Sequence, residues 1–240
     1  MIANVLKMGL LAALLTWMPS VGNADGFPPL FNTVEYRSES LAALPQWQRV
    51  LGEIEQESSI YRDCDHAHGP CEPRVLLAWQ AMIKSQRGEE PMSQLRAVNR
   101  FVNRWEARTD QDNYEKLDYW ASPLTFLKRS GDCEDYAIAK YASLRQLGFA
   151  PEQLRLVVVR DVLRDVAHAV LAVHVETDVL ILDNLFQAVL QQQMVSQYLP
   201  YYSVNEAARF SHLPPDSVQM ASSPWDVAPS LAPLAEADVF

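Results

Sequence analysis

The sequence predicts an α+β domain in which a helical N-terminal half packs on an antiparallel sheet. Two observations lead to this prediction. Up to about residue 147, apolar residues recur at intervals of three and four, which is the spacing of one helix face. After Gly148, the chain changes to short runs rich in Val, Ile and Leu that are typical of strands. In α+β domains, helices and strands occupy separate parts of the chain and do not alternate, which is the order predicted here.

The first 24 residues are predicted to be a signal peptide. Lys7 supplies a positive charge, and residues 8–18 form an apolar run that is too short to span a bilayer. Gly22 and Ala24 place small residues where a signal peptidase cuts. The alternative is a buried helix of the fold. With export, the mature chain begins at about Asp25, has no membrane span and works outside the cytoplasm.

Helices are predicted wherever an apolar stripe or a start signal is present. Trp47, Trp79 and Trp105 lie within such stripes, so we expect them in the core. Pro91 and Pro123 suit the first turn of a helix. The predicted helices cover residues 44–58, 72–86, 91–108, 123–128 and 133–147, with an extended lead-in at 25–43 and a polar connection at 110–119.

Strands are predicted at residues 154–161, 168–175 and 179–183 from β-branched content and short length, and a further strand is expected at 201–204. Past about Phe210 the chain becomes rich in Pro, Ser and Ala, which predicts a loosely held tail. The sequence shows no internal repeat. The expected organisation is therefore a signal peptide at 1–24, a single domain at 25–210 and a tail at 211–240.

The charge balance argues against nucleic acid as a partner. The formal net charge is −10, and the sequence contains no long run of Lys or Arg that would bind phosphates or an anionic membrane surface. An acidic surface suits cation binding or a basic partner.

Three cysteines leave one unpaired if two form a disulfide. Cys64 and Cys71 lie seven residues apart in one polar loop, and export favours their oxidation to a disulfide. His66 and His68 lie between them, so a structural zinc site is an alternative, as are two free thiols. This arithmetic singles out Cys133 as the free thiol.

The position of Cys133 suits a nucleophile because it is the first residue of a predicted helix. A helix N-terminus favours a thiolate, and its free N–H groups can stabilise an oxyanion. A thiolate also needs a proton acceptor, for which His is best suited, and the imidazole needs an orienting acceptor. His168 and Asp183 meet these needs in the predicted sheet. The alternative for Cys133 is a buried core residue.

The strand pattern permits His168 and Asp183 to meet. If the turn is centred on 176–177, Val170 faces Asp183, and His168 becomes its diagonal neighbour on the same face. A turn one residue longer would put the two on opposite faces unless a bulge intervened. His174 would then lie near the turn, so we assign it to structure.

Three acidic residues, Asp132, Glu134 and Asp135, crowd the nucleophile. Their charges would raise the pKa of Cys133, and a bound cation would reverse this effect. Carboxylate oxygens without His or thiolate ligands suit calcium better than zinc. Alternatively, these acids only complement the helix N-terminus.

Several runs of the sequence resemble one enzyme family. The run Gly131-Asp132-Cys133-Glu134-Asp135-Tyr136-Ala137-Ile138-Ala139-Lys140-Tyr141 resembles the nucleophile motif of the bacterial transglutaminase-like cysteine peptidases of the LapG type. The resemblance extends over roughly residues 40–206 and implies a papain-like or transglutaminase-like fold. Further similar runs are found at residues 118–123, 167–171, 182–185 and 200–206.

The resemblance implies a periplasmic endopeptidase with Cys133, His168 and Asp183 as its catalytic triad. In the family, calcium is bound by the acids that flank the cysteine, here Asp132 and Glu134. A further ligand is expected from the preceding loop, where we select Asp118, with Asp112 and Asp110 as the other candidates.

The family also implies partners. Its substrates are large biofilm adhesins of the LapA type, cut near their N-terminal module. Its regulator is an inner-membrane cyclic-di-GMP receptor of the LapD type, which releases the protease when the nucleotide falls.

Two other functions use the same residues. An acyl transferase would keep the triad and replace water by an amine as the acceptor. A calcium-dependent binding module would carry the triad residues without catalysis. The pattern identifies no side-chain donor for an oxyanion, and Tyr119 and Trp120 suit either the cleft or the core.

Overall fold

The computed structural model describes residues 26–63 and 74–215 of the chain. Three predictions fall outside these residues: the signal peptide at 1–24, the state of Cys64 and Cys71, and the tail from residue 216 onwards. They stay predictions.

Six helices lie in the described residues, and all five predicted helices are present, although several of their ends differ from the prediction. The prediction that the third helix runs to residue 108 is wrong, because the helix ends at Val102 and Asn103 is its C-cap. Trp105 therefore lies beyond the helix, although it still packs against the core. A short helix in the predicted polar connection was not expected. The helices are α1 (Pro45–Asp63), α2 (Arg74–Gln86), α3 (Pro91–Val102), α4 (Asp110–Tyr114), α5 (Pro123–Arg129) and α6 (Cys133–Leu147).

Seven strands form one antiparallel sheet in the spatial order β1-β7-β6-β2-β3-β4-β5. In the chain, β1 precedes the helices and the other six strands follow them. The predicted strands correspond to β2, β3, β4 and β6. The strands are β1 (Val34–Ser38), β2 (Leu154–Asp161), β3 (Val166–Val175), β4 (Asp178–Leu182), β5 (Leu190–Gln191), β6 (Tyr198–Val204) and β7 (Arg209–Leu213).

Strands β1, β5 and β7 were not predicted, because none of them has a clear alternating apolar pattern. β7 begins where we expect the loosely held tail, but it pairs with both β6 and β1 and buries Phe210 and His212. The Thr33 hydroxyl lies 2.8 Å from His212 Nδ1, so a side-chain hydrogen bond also joins the lead-in to this strand. Long-range pairing therefore orders two segments whose local sequence is ambiguous.

The core is divided between the two faces of the sheet. On one face, the helices bury a large cluster that includes Trp47, Trp79 and Leu171. On the other, Phe27 and Leu30 of the lead-in cover the apolar residues of the central strands. The predicted architecture, a helical half packed on an antiparallel sheet, is confirmed. Within the described ranges, no helix is long and apolar enough to cross a membrane.

The connection between α5 and α6 determines where Cys133 lies. The Ser122 hydroxyl accepts from the Thr125 N–H and caps α5. Ser130 ends this helix with a positive φ of 67°, so the chain reverses sharply into Gly131 and Asp132. Helix α6 then packs across β2 and β3. The first turn of α6 is thereby directed toward the start of β3.

Candidate active site

Cys133 is the first residue of α6, as predicted, and Asp132 is the N-cap. The Asp132 N–H donates to Asp135 Oδ2 at 3.3 Å, which closes the first turn. The Ala121 N–H donates to the other oxygen of this carboxylate at 2.6 Å, and Asp135 is fully buried. Asp135 thus holds the loop before Cys133 and is not free to act as a ligand on the surface.

The thiol of Cys133 is half-buried in an acidic environment. Its Sγ donates to Glu134 Oε2 over 3.3 Å. Burial raises the pKa of Cys133 well above its usual range, and the charges of Glu134 and Asp132 raise it further. A hydrogen bond from the Ala169 backbone opposes this rise and places the thiol beside the residue that follows His168. In this arrangement burial and the acidic neighbours favour the thiol of Cys133 over the thiolate.

His168 and Asp183 lie together, as the strand register requires. The β3–β4 turn is centred on 176–177, and Leu171 pairs with Leu182, so Val170 faces Asp183 as expected. His168 Nε2 lies 2.9 Å from Asp183 Oδ1. Both side chains are buried. The predicted register is therefore confirmed, with Asp183 directly after β4 and not within it.

Asp183 is held by several donors. Its Oδ1 accepts from the Leu185 N–H at 2.9 Å, and its Oδ2 accepts from the Tyr198 hydroxyl at 2.6 Å. Burial alone would raise the pKa of Asp183, but the hydrogen bond and charge of His168, together with these two donors, lower it below its usual value. Asp183 is thus an oriented carboxylate suited to hold an imidazole in one position.

His174 lies at the other end of β3, where it pairs with Val179 next to the turn. Its ring lies 5.5 Å from that of Phe27 on the covered face of the sheet. This packing is separate from the pair formed by His168 and Asp183.

A group of three carboxylates lies beside Cys133. One oxygen each from Asp110, Asp132 and Glu134 lies within 4.8 Å of the others. The structure thus joins the two predicted acids to Asp110, which was a lesser candidate, and not to Asp118. Asp118 instead accepts a hydrogen bond of 2.9 Å from Gln46. It stays close enough for its charge to raise the pKa of both Asp110 and Asp132.

The three carboxylates fit a hard divalent cation. Burial, followed by the charge of Asp132, raises the pKa of Asp110 to about 7. Burial, followed by the charge of Glu134, raises the pKa of Asp132 to about 9, and burial raises that of Glu134 to about 7. Asp110 Oδ1 and Asp132 Oδ1 are buried without a hydrogen-bond partner among the described residues. Oxygen ligands of this kind suit calcium.

Sequence reasoning missed several residues that build the site. Tyr198, which holds Asp183, lies fifteen residues away on β6. Asn103, which donates to the Asp183 carbonyl at 2.8 Å, is the C-cap of α3. Lys140 lies fully buried in α6. Only Lys140 carried a signal, because a lysine on the inner face of an apolar helix is unusual.

The chain matches one family over most of its length. The sequence profile of the family described as bacterial transglutaminase-like cysteine proteinase, BTLCP, matches residues 53–215, which is more than half of the 240 residues. Among curated proteins, none matches the chain.

Solved structures of LapG from Legionella pneumophila are similar to this chain. The calcium-bound form is 30% identical, with a TM-score of 0.56, over 66% of this chain and 87% of the LapG chain. A second LapG structure is 30% identical over 70% and 92% of the two chains, with a TM-score of 0.55. An EGTA-treated form is 31% identical over 66% and 84%, also with a TM-score of 0.55.

Proposed function

The chain belongs to the bacterial transglutaminase-like cysteine proteinase family, and we propose that it is a calcium-dependent endopeptidase of the periplasm that cuts a cell-surface adhesin. Membership makes the chain a transglutaminase-like cysteine protease. The metal, the catalytic residues, the substrate and the control are the parts that we propose.

The observation that supports calcium dependence most directly is the contact between the nucleophile and the acidic group. Glu134 accepts the hydrogen bond from Cys133 and also belongs to the group formed with Asp110 and Asp132. Without a cation, these charges favour the thiol. Calcium, when bound by the three carboxylates, neutralises their charge and so favours the thiolate. A similar LapG has been solved both calcium-bound and EGTA-treated.

The proposed reaction uses Cys133, His168 and Asp183 in turn. His168 takes the proton of Cys133, and the sulfur attacks the carbonyl carbon of the scissile peptide bond. The N-terminus of α6 stabilises the oxyanion. His168 then protonates the leaving amine, which leaves a thioester on Cys133. His168 next takes a proton from water, and the resulting hydroxide hydrolyses the thioester and restores the thiol.

Asp183 would hold the imidazole throughout these steps. It binds His168 through Nε2, which leaves Nδ1 as the nitrogen that exchanges protons with the sulfur. An oriented imidazole in one tautomer is what a nucleophilic cysteine requires.

The substrate and the control are proposed from the resemblance of the sequence runs around Cys133, His168 and Asp183. On this basis the substrate is the N-terminal region of a large LapA-type adhesin. A LapD-type cyclic-di-GMP receptor in the inner membrane would retain the protease and release it. The predicted signal peptide at 1–24 supports a periplasmic location.

A cleavage assay tests these proposals together. Mature protein from Asp25 onwards is incubated with the N-terminal module of a candidate adhesin from the same genome, with calcium or with a chelator. Cys133→Ala is the inactive control. A discrete cut that requires both calcium and Cys133 is the expected result.

Two other outcomes would change the proposal. A cut that survives chelation would remove calcium from the mechanism and keep the protease. Incorporation of a primary amine into a glutamine-bearing protein, without any cut, would favour the acyl transferase.

A further inference from the structure

A cavity of about 470 Å³ lies beside the loop that precedes Cys133, and the proposed mechanism gives it no task. Its walls come from two segments, the chain from Trp105 to Asn113 and the end of α5 up to Ser130. The three proposed catalytic residues do not line it. A volume of this size is typical of a ligand pocket, so the cavity is a candidate for a second binding site.

The lining of this cavity is positively charged. Arg108, Lys128 and Arg129 are basic, and Glu106 is the one acidic group among the lining residues that the structure describes. The chain as a whole carries a formal net charge of −10, so this local excess of positive charge runs against the rest of the molecule. An anion that approaches an acidic protein is therefore attracted to this place.

Basic residues in the last turn of a helix often serve only to complement its terminal carbonyls. At the end of α5, neutral side chains already bind several of these carbonyls. Asn113 Nδ2 donates to the carbonyls of Arg129 and Ser130 at 3.3 and 3.1 Å. Trp105 Nε1 donates to the Leu127 carbonyl at 3.4 Å. The basic side chains of α5 are thus not needed to satisfy the end of this helix.

Two of the three cations have no partner of opposite charge. Arg108 and Lys128 are exposed, and neither forms an ion pair or a side-chain hydrogen bond within the described ranges. Arg129 is held in position, because its guanidinium donates to the Asn113 carbonyl at 3.3 Å and lies 5.8 Å from the centroid of the Tyr114 ring. Guanidinium groups bind carboxylates through paired N–H donors, so this set of cations suits carboxylate ligands.

The backbone on both sides of the cavity is held by hydrogen bonds. The Arg108 N–H donates to the Gly131 carbonyl at 2.9 Å. The Ser130 hydroxyl donates to the Glu106 carbonyl, and both contacts join the two segments that form the walls. The cavity is therefore formed before a ligand arrives, which lowers the entropy lost on binding.

Three features favour an acidic peptide segment over a small anion. The cavity is larger than a single carboxylate or phosphate requires. Its three cations lie at exposed positions, so several carboxylates of an extended chain can reach them together. The half-buried ring of Trp105 adds an apolar surface on which such a chain can pack.

From these observations we propose that the cavity binds an acidic peptide segment, whose carboxylates pair with Arg108, Lys128 and Arg129. This site goes beyond the proposed protease, because it uses neither the triad nor the group of three carboxylates. Its occupant is a segment of a protein rich in Asp or Glu.

Isothermal titration calorimetry of the mature protein with hexaglutamate tests the proposal. The expected result is saturable binding to one site, which weakens as the salt concentration rises because exposed charges are screened. Hexaglutamine has the same length without the charge and should not bind.

The variant Arg108→Gln/Lys128→Gln removes the two unpaired cations. Each substitution is expected to weaken the binding of hexaglutamate about threefold, and the two together about tenfold, as for pairs of exposed charges. The melting temperature should not change, because neither side chain has a partner within the described residues.

The matched control is Arg96→Gln/Arg100→Gln in α3. Both arginines are exposed and lie outside the lining of the cavity, so this variant changes the net charge by the same amount. It is expected to bind hexaglutamate within twofold of the native protein, which separates a local site from a response to overall charge.

Four outcomes would overturn the proposal. They are the absence of saturable binding to the native protein, equal losses in the two double variants, and inorganic phosphate that binds as tightly as hexaglutamate and displaces it. The fourth is binding that survives Arg108→Gln/Lys128→Gln but is lost in Asp110→Asn, which would place the peptide on a metal ion. None of these measurements requires cleavage of a peptide, so they leave the proposed protease to its own assay.

Discussion

At the scale of single residues, the loop before Cys133 has room for a buried carboxylate because residue 131 has no side chain. A Cβ added to Gly131 would overlap the Asp135 carboxylate. Asp135 in turn accepts from the backbone N–H groups of Ala121 and Asp132. Gly131 is therefore needed for packing around Cys133 and not for its backbone conformation, since its φ angle is not positive.

Gly131→Ala is predicted to destabilise the protein by about 1–3 kcal/mol, because the added methyl displaces a buried and hydrogen-bonded carboxylate. Urea unfolding measures this change. The matched control is Gly52→Ala in α1, where an added Cβ meets nothing within 4 Å. The same substitution there should stabilise by about 0.5–1 kcal/mol, since alanine favours a helix. Equal effects at both positions would contradict this account of Gly131.

The third calcium ligand is a second prediction at this scale. Asp110→Asn is expected to weaken calcium binding about tenfold or more, because Asp110 belongs to the carboxylate group and Asp118 does not. Asp118→Asn should have a smaller effect, which acts through the lost charge alone. Isothermal titration calorimetry compares the two. If Asp118→Asn weakens calcium binding more than Asp110→Asn does, Asp118 is the third ligand, as the sequence predicted.

At the scale of elements, the edge of the sheet is held by a buried polar network. His212 on β7 lies 2.8 Å from the Thr33 hydroxyl and 2.9 Å from that of Ser203 on β6. Beside it, Arg155 on β2 forms a buried ion pair of 2.6 Å with Glu35 on β1. This network joins the lead-in to the central strands, so the outer strands depend on the protonation of His212.

Because His212 is buried, the folded protein is predicted to lose stability in acid. Burial, followed by the charge of Arg155, lowers the pKa of His212 from 6.5 to about 3. Between these values the unfolded chain binds a proton that the folded protein does not, so stability rises with pH and falls on acidification. From pH 7 to pH 5 this contribution should decrease by about 2 kcal/mol.

Urea unfolding at pH 7 and pH 5 measures this decrease by comparing the native protein with His212→Asn. The acidic groups titrate in both proteins, so the difference between the two decreases isolates His212. The native protein should lose about 2 kcal/mol more than the variant. Equal losses would show that folding does not lower the pKa of His212.

At the scale of the whole molecule, the net charge of −10 works against a compact state unless cations reduce it. Three carboxylates with raised pKa values concentrate this repulsion beside Cys133. Calcium binding at this group would therefore couple the fold to the ion that the proposed mechanism needs.

Calcium is predicted to stabilise the folded protein. At a concentration one hundred times the dissociation constant, the gain is about 2.7 kcal/mol, which corresponds to roughly 5–10 °C in melting temperature. Differential scanning calorimetry with calcium, with magnesium and with a chelator measures it. Magnesium should shift the transition less, because it demands a stricter octahedral geometry. If calcium leaves the melting temperature unchanged, the three carboxylates do not bind calcium in the folded protein.

Local sequence was enough to predict the helical half, the central strands and the relation between His168 and Asp183. Periodicity, helix caps and a two-residue turn are properties of neighbouring residues, so they can be read without knowing the fold. The end of α3 at Val102 was not predicted correctly, because apolar residues continue past it to Trp105. The catalytic roles stay predictions until the chemistry is measured.

Only the tertiary structure decided which distant groups meet. It selected Asp110 over Asp118 beside Asp132 and brought Tyr198 to Asp183. It also ordered the outer strands, which have too little apolar pattern to be recognised alone. These outcomes depend on contacts between segments far apart in the chain. Their free energy is gained only when the segments pack, so no local pattern encodes them.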